Sequence, residues 1–141
     1  MVEALTNPSY DKDERPTPLA LGLVRVVDGM LQPRIHPLSL GPEGTVIGSV
    51  ETPGACITDV EDDVSPQHLV IWCQDGRWWC QGLESANGTA HLSGATKELT
   101  SVELPRRLRL DEPTHAVELR PGDGLLLGLA TRFMVLVLSE G

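Results

Sequence analysis

The chain has 141 residues, of which 22% are charged and 40% hydrophobic, and its formal net charge is -9. That length suits one domain with a core of its own. The acidic balance argues against nucleic-acid binding, because a phosphate backbone demands a basic face.

No basic segment followed by an apolar run opens the chain, so no signal peptide is expected. The longest apolar run, Phe133 to Leu138, is too short to span a bilayer. The expectation is a soluble, cytoplasmic protein with no membrane partner. The glycosylation sequon Asn87-Gly88-Thr89 is then a chance match.

In chain order, residues 1–18 are polar, contain proline and show no period, and read as a disordered tail. From Leu19 to Leu138, short apolar runs alternate with turn signals. "LALGLVRVV" stops at Asp28-Gly29, "RIHPLSL" at Gly41-Pro42, and "TVIGSV" near Pro53-Gly54. "HLVIWC" stops at Asp75-Gly76 and is followed by "RWWCQGL". "HAVEL", "GLLLG" and "RFMVLVL" complete the series. With weak helical periodicity and 14 Gly and 11 Pro, this predicts an all-β, two-sheet sandwich or a barrel. Residues 94–114 fit no template and read as an insertion loop with a short strand around Leu108.

One register follows directly. Asp75-Gly76 favours a two-residue type I′ turn, which sets Cys73 opposite Trp78 and Trp72 opposite Trp79. Leu69, Ile71, Cys73, Trp78 and Cys80 then share the better core face. Trp72 and Trp79 share the other, where they form either a second surface for a partner or a patch covered by the 94–114 insertion or a terminus. That register also argues against a Cys73–Cys80 disulfide.

The remaining chemistry is sparse. Cys56, Cys73 and Cys80 read as reduced, buried thiols, and their spacing to the four histidines is not that of a zinc site. No metal or cofactor is expected. No nucleophile elbow or Gly-rich phosphate loop occurs, so an enzyme is not expected.

Four motifs occur in sequence: Gly48 after "TVI", Ser65 with His68, Ser85-Ala86-Asn87-Gly88-Thr89, and Gly122-Asp123 with Gly128. In order and spacing this set resembles the forkhead-associated (FHA) domain, a β-sandwich that binds phosphothreonine peptides through loops at one end. The resemblance implies a protein-interaction module of signalling, with another protein as partner, possessing a phosphothreonine-containing segment in the family's usual case. It implies that Asn87 bonds the peptide backbone and that Ser65 donates to phosphate. Gly48, His68, Gly88 and Thr89 would shape the loops. Taken alone, Ser65 and Asn87 also suit simple turns.

The departures are specific. The family's phosphate-reading Arg, which follows the first-loop glycine, is Ser49 here. Pro66 follows the binding Ser and Ala86 precedes the binding Asn, so two further donors are missing. The expectation is a degenerate phosphate pocket at Ser49, Ser65, Ala86 and Asn87. The alternative is a working phosphothreonine reader that draws its cation from Arg77 or from Arg106 to Arg109.

Overall fold

A computed structural model describes residues 19–109 and 114–138. The expected tail, residues 1–18, lies outside the described residues.

The strands, in order, are β1 (Leu21–Val27), β2 (Met30–Pro37), β3 (Thr45–Ile47), β4 (Cys56–Ile57), β5 (Leu69–Gln74) and β6 (Arg77–Gly82). They continue with β7 (Thr89–Leu92), β8 (Leu99–Glu103), β9 (Val117–Leu119), β10 (Gly124–Leu127) and β11 (Thr131–Val137). A six-stranded sheet runs β2-β1-β11-β10-β7-β8, and a five-stranded sheet runs β4-β3-β5-β6-β9. The architecture is the expected two-sheet sandwich. Among the described residues its single helical piece is the 3-10 turn Arg106–Leu108. None of the described helices is long and apolar enough to cross a membrane.

Both Asp-Gly hairpins form as two-residue turns. Asp28 and Gly29 have φ of 53° and 76°, and Asp75 and Gly76 have 56° and 79°. Positive φ at both turn positions matches the twist of the flanking strands, and Asp followed by Gly tolerates it. The β5–β6 register follows: Cys73 faces Trp78, Trp72 faces Trp79, and Ile71 faces Cys80.

Alternation then delivers the core. Leu69, Ile71, Trp78 and Cys80 pack against Leu23, Phe133 and Val135 of the opposite sheet. Cys73 corrects the expectation: it is only partly buried, because it sits beside the Asp75-Gly76 turn, at the edge of the core. Burial lifts the Cys80 thiol to about 12, with nearby Asp123 adding to the effect. All three cysteines are free.

The 94–114 segment is the larger correction. Its strand is β8, Leu99–Glu103, paired with β7, and the residues around Leu108 form a 3-10 turn. Val102 and Glu103 are the inward positions, and an inward Glu hides the apolar alternation that marks a strand.

Candidate functional site

The loops leaving β3 and β6, the loops entering β5 and β7, and the β10–β11 turn meet at one end of the sandwich. Ser49 donates its N–H to the Ser65 carbonyl at 3.1 Å. Ser65 Oγ accepts the Ala86 N–H at 2.9 Å. The Ala86 carbonyl accepts the Arg106 N–H at 2.9 Å. Ser49, Ser65, Ala86 and Arg106 therefore stand in a row across this end. Gly48 permits the first contact, since a Cβ there would lie 2.0 Å from the Pro66 carbonyl oxygen.

Two features leave donors and acceptors free along the row. Ser65 Oγ uses a lone pair on Ala86, so its own hydrogen can still be donated outward. Asn87 spends one Nδ2 hydrogen on the Asp63 carbonyl at 2.8 Å, which fixes the amide while Oδ1 stays open to a ligand N–H. Ser49 is exposed, and Ser65, Ala86 and Asn87 are half-buried.

His68 lies beneath the row and is fully buried. Its Nδ1 accepts the Ser65 N–H at 3.0 Å, so Nε2 carries the hydrogen and donates to the Gly88 carbonyl at 2.7 Å. One neutral imidazole thus ties the Ser65 loop to the Asn87 loop. Burial depresses its pKa, and the Gly88 bond and nearby Glu103 and Asp63 oppose this only in part. Gly88 adopts φ +82°, and a Cβ there would meet the Glu103 carbonyl oxygen at 2.7 Å. Thr89 is buried at the start of β7, where it opens the strand rather than the site surface.

Sequence reasoning missed three supports. The first is Glu103, 4% exposed. Its carboxylate accepts the N–H of Glu84 at 2.8 Å, and the N–H and hydroxyl of Ser85 at 3.0 and 2.8 Å. Arg109 approaches it at 3.3 Å and donates to the Ser85 carbonyl at 3.1 Å. Ser85 Oγ in turn accepts the Gly88 N–H at 3.1 Å. The second is Arg25, nearly buried, which pairs with Asp59 at 2.9 Å and with Glu61. Burial raises the Asp59 carboxyl, but hydrogen bonds from His36 and Arg25 outweigh it and hold the group below its usual range. The third is Asp63, whose carboxylate receives the Leu129 N–H and so braces the β10–β11 turn against the Ser65 loop. An Arg inside an alternating strand was the available signal for the second; the first and third carry none.

The other expected residues lie elsewhere. Asp123 caps the far end of β10, where its carboxylate meets His91 Nε2 at 2.7 Å and the Gly94 N–H at 2.9 Å. Trp72 and Trp79 face each other on the outer side of the five-stranded sheet, and both are half-buried. Arg77 stands at the β5–β6 hairpin, the length of the strand pair away from Ser65. Five residues at about 3.3 Å put it roughly 17 Å off, beyond reach of the row. Arg109 is committed to Glu103. Arg106 and Arg107 are exposed, and the Arg106 guanidinium meets the Glu84 carbonyl at 3.3 Å. Among the described residues, no group of three or more His, Cys, Asp or Glu is placed to hold a metal ion.

A two-sheet sandwich with loops knitted together at one end defines a scaffold that presents a ligand surface on loops. The chain belongs to the FHA-domain family, whose model matches residues 45–128. It is similar to the FHA domain of an Arabidopsis thaliana hypothetical protein, with 25% identity over 88% of this chain and 90% of that one, and a TM-score of 0.58. The fold is also that of the FHA domain of human APLF, solved in complex with an XRCC1 bisphospho peptide (22% identity, 84% and 99% covered, TM-score 0.56). A third structure, from work on phosphothreonine-dependent FHA domain interactions, shares it at 22% identity, 85% and 98% coverage and a TM-score of 0.55. The comparison with curated proteins gives no match. FHA domains are protein-interaction modules.

Proposed function

We propose that this chain is a non-enzymatic interaction module that takes an extended segment of another protein across Ser49, Ser65, Ala86 and Asn87. Its recognition of phosphate is weak. The observation that carries the reading is the row of loops itself. It offers a hydroxyl hydrogen at Ser65 and an amide oxygen at Asn87, but Ser49 supplies no charge where an Arg would reach a phosphate. Hydrogen bonds to charged groups contribute about 1.5–3 kcal/mol each. Losing two of them costs roughly 3–6 kcal/mol, about a hundredfold or more in affinity.

The experiment is fluorescence anisotropy with a phosphothreonine peptide library and its unphosphorylated counterpart, at two salt concentrations. The expected result is little discrimination between them. Tight, phosphate-dependent binding would refute weak phosphate recognition. It would favour a second reading, supported by Arg106, whose N–H bonds Ala86 and whose side chain is exposed beside the Ser85 loop. Arg106→Ala would then abolish the phosphate preference.

A further inference from the structure

The outer face of the six-stranded sheet is built unlike a solvated sheet face. Antiparallel sheets with one face in water alternate apolar-in with polar-out. Here the outward positions are apolar too. The registers place Ile35 beside Val24, Val24 beside Met134, Met134 beside Gly124, Gly124 beside Leu92, and Leu92 beside Leu99. One row thus crosses all six strands without a polar side chain. The neighbouring row adds Val26 and Leu126. In strands β1, β11, β10 and β7 the only charged residue on this face is Arg132. Leu99 is 70% exposed, Ile35 46% and Leu92 37%, whereas Val24 is covered by its neighbours and only 2% exposed, so the open part of the row is at β2 and towards β8.

The row also has a notch. Gly124 carries no side chain, and a Cβ built there would meet nothing closer than Leu92 at 3.6 Å. A groove of about 320 Å³ lies over it, walled by Leu92, Leu99, Leu126 and Met134. That is room for an aliphatic side chain from outside.

We propose that this face pairs two copies of the chain, sheet against sheet. Three arguments select a second copy as the occupant. The first is area. Six strands about 4.8 Å apart, each about 17 Å long, present roughly 500 Å² of plane, and accessible area exceeds projected area. That approaches the ~800 Å² per partner of a standard stable interface. The second is charge. A chain of net charge -9 repels its own copy over most of its surface. Two copies meet with least repulsion where the face is nearly uncharged. The third is shape. A two-fold contact requires a patch complementary to itself, and a sheet face packs on a like face about 10 Å away, with side chains interleaved. The partner's row supplies the side chain that fills the notch at Gly124. Residues 1–18 are the weaker occupant: their large aliphatic residues are Met1, Val2 and Leu5, too few to match the row.

The surface lies on a side of the sandwich and the loop row at one end, so this inference stands independently of the peptide reading. It is tested by sedimentation velocity over about a hundredfold range of concentration. The wild type is expected to shift from monomer to dimer. Leu99→Lys, and Leu92→Lys with Leu99→Lys, are expected to weaken the dimer at least about tenfold. A wild type that stays monomeric throughout overturns the proposal, whatever else covers the face. A dimer indifferent to both variants overturns it too. Peroxide oxidation of wild-type methionines gives a reading that needs no variant. Met134, on the row, should oxidise more slowly as the protein is concentrated. Met30, at the β1–β2 hairpin and 68% exposed, should not change. Equal concentration dependence of the two refutes the proposal.

Discussion

Removing Glu103 should loosen the Asn87 loop and destabilise the whole domain. In Glu103→Ala, the N–H and hydroxyl of Ser85 lose their acceptor inside a residue that is fully buried. An unsatisfied buried donor costs about 1–3 kcal/mol. The Ser85 hydroxyl can rotate and recover part of this, whereas its N–H cannot. Arg109 loses its carboxylate, but its side chain retains some exposure and keeps two carbonyl partners. Its contribution therefore falls below the ~3–5 kcal/mol of breaking a fully buried pair. The expected loss is about 3–5 kcal/mol, a large part of the ~5–15 kcal/mol that a domain of this kind holds. Glu103→Gln should cost less, about 1–3 kcal/mol, since one oxygen can stay on Ser85 while the new NH₂ opposes the Glu84 N–H and Arg109. Urea unfolding measures both, and amide exchange at Ser85 and Gly88 locates the effect. A loss within about 1 kcal/mol for Glu103→Ala would show that the carboxylate does not hold the loop, and the support assigned to β8 would be wrong.

Ser49→Arg should fold normally, because its side chain is exposed, and should raise affinity for phosphothreonine peptides over unphosphorylated ones, read by the same anisotropy assay. Gly88→Ala should destabilise by more than about 1 kcal/mol in urea unfolding, from its positive φ together with the 2.7 Å approach to Glu103. Acid should weaken the fold through His68. Its folded pKa is depressed, so below about 6.5 the unfolded chain binds a proton that the folded chain refuses. The His68 contribution is thus present above that pH and lost as pH falls towards the folded pKa, and Asp59 adds a further loss below its ordinary value of 3.8. Urea midpoints between pH 7.5 and 5 should drop for the wild type and drop less for His68→Gln. Cys80, its thiol at about 12, should resist a thiol reagent until the protein unfolds, while Cys56 reacts in the native state.

The β5–β6 hairpin was legible because a two-residue Asp-Gly turn leaves no freedom in register, so the placement of Trp78 and Cys80 in the core followed from a dipeptide. The loop motifs were legible through the family resemblance. In the structure Gly48, His68 and Gly88 meet specific demands: a close backbone approach, a bridging neutral imidazole and a positive φ. What stayed hidden is long-range. Glu103 looks like an ordinary charge in a polar stretch, and only the fold shows four hydrogen-bonding groups converging on it from the Ser85 loop and Arg109. The same inward Glu concealed β8 itself. The apolar outer face was concealed in another way. "GLLLG" and "RFMVLVL" read simply as short apolar runs, and a run apolar at nearly every position does not say which of its faces is covered.

If the pocket works without its own cation, as proposed, affinity comes from geometry and number rather than from phosphate. On that reading each hydrogen bond from Ser65 and Asn87 would be a neutral one, of about 0.5–1.5 kcal/mol net, and a single site would hold a segment only loosely. Pairing through the six-stranded sheet would leave both loop rows open at their own ends. A ligand with two such segments, or a partner that is itself dimeric, would then bind the second site at a raised effective concentration. That gains about a hundred- to ten-thousandfold without any new contact, provided the spacing of the segments spans the two rows. The variant with both Leu92→Lys and Leu99→Lys, at concentrations where it is monomeric, separates the effects, because it leaves each row intact. Its affinity for a single-segment peptide should equal that of the wild type, and its affinity for a tandem peptide should fall to the single-segment value. A tandem peptide held equally by both proteins would show that strength at this site does not come from pairing.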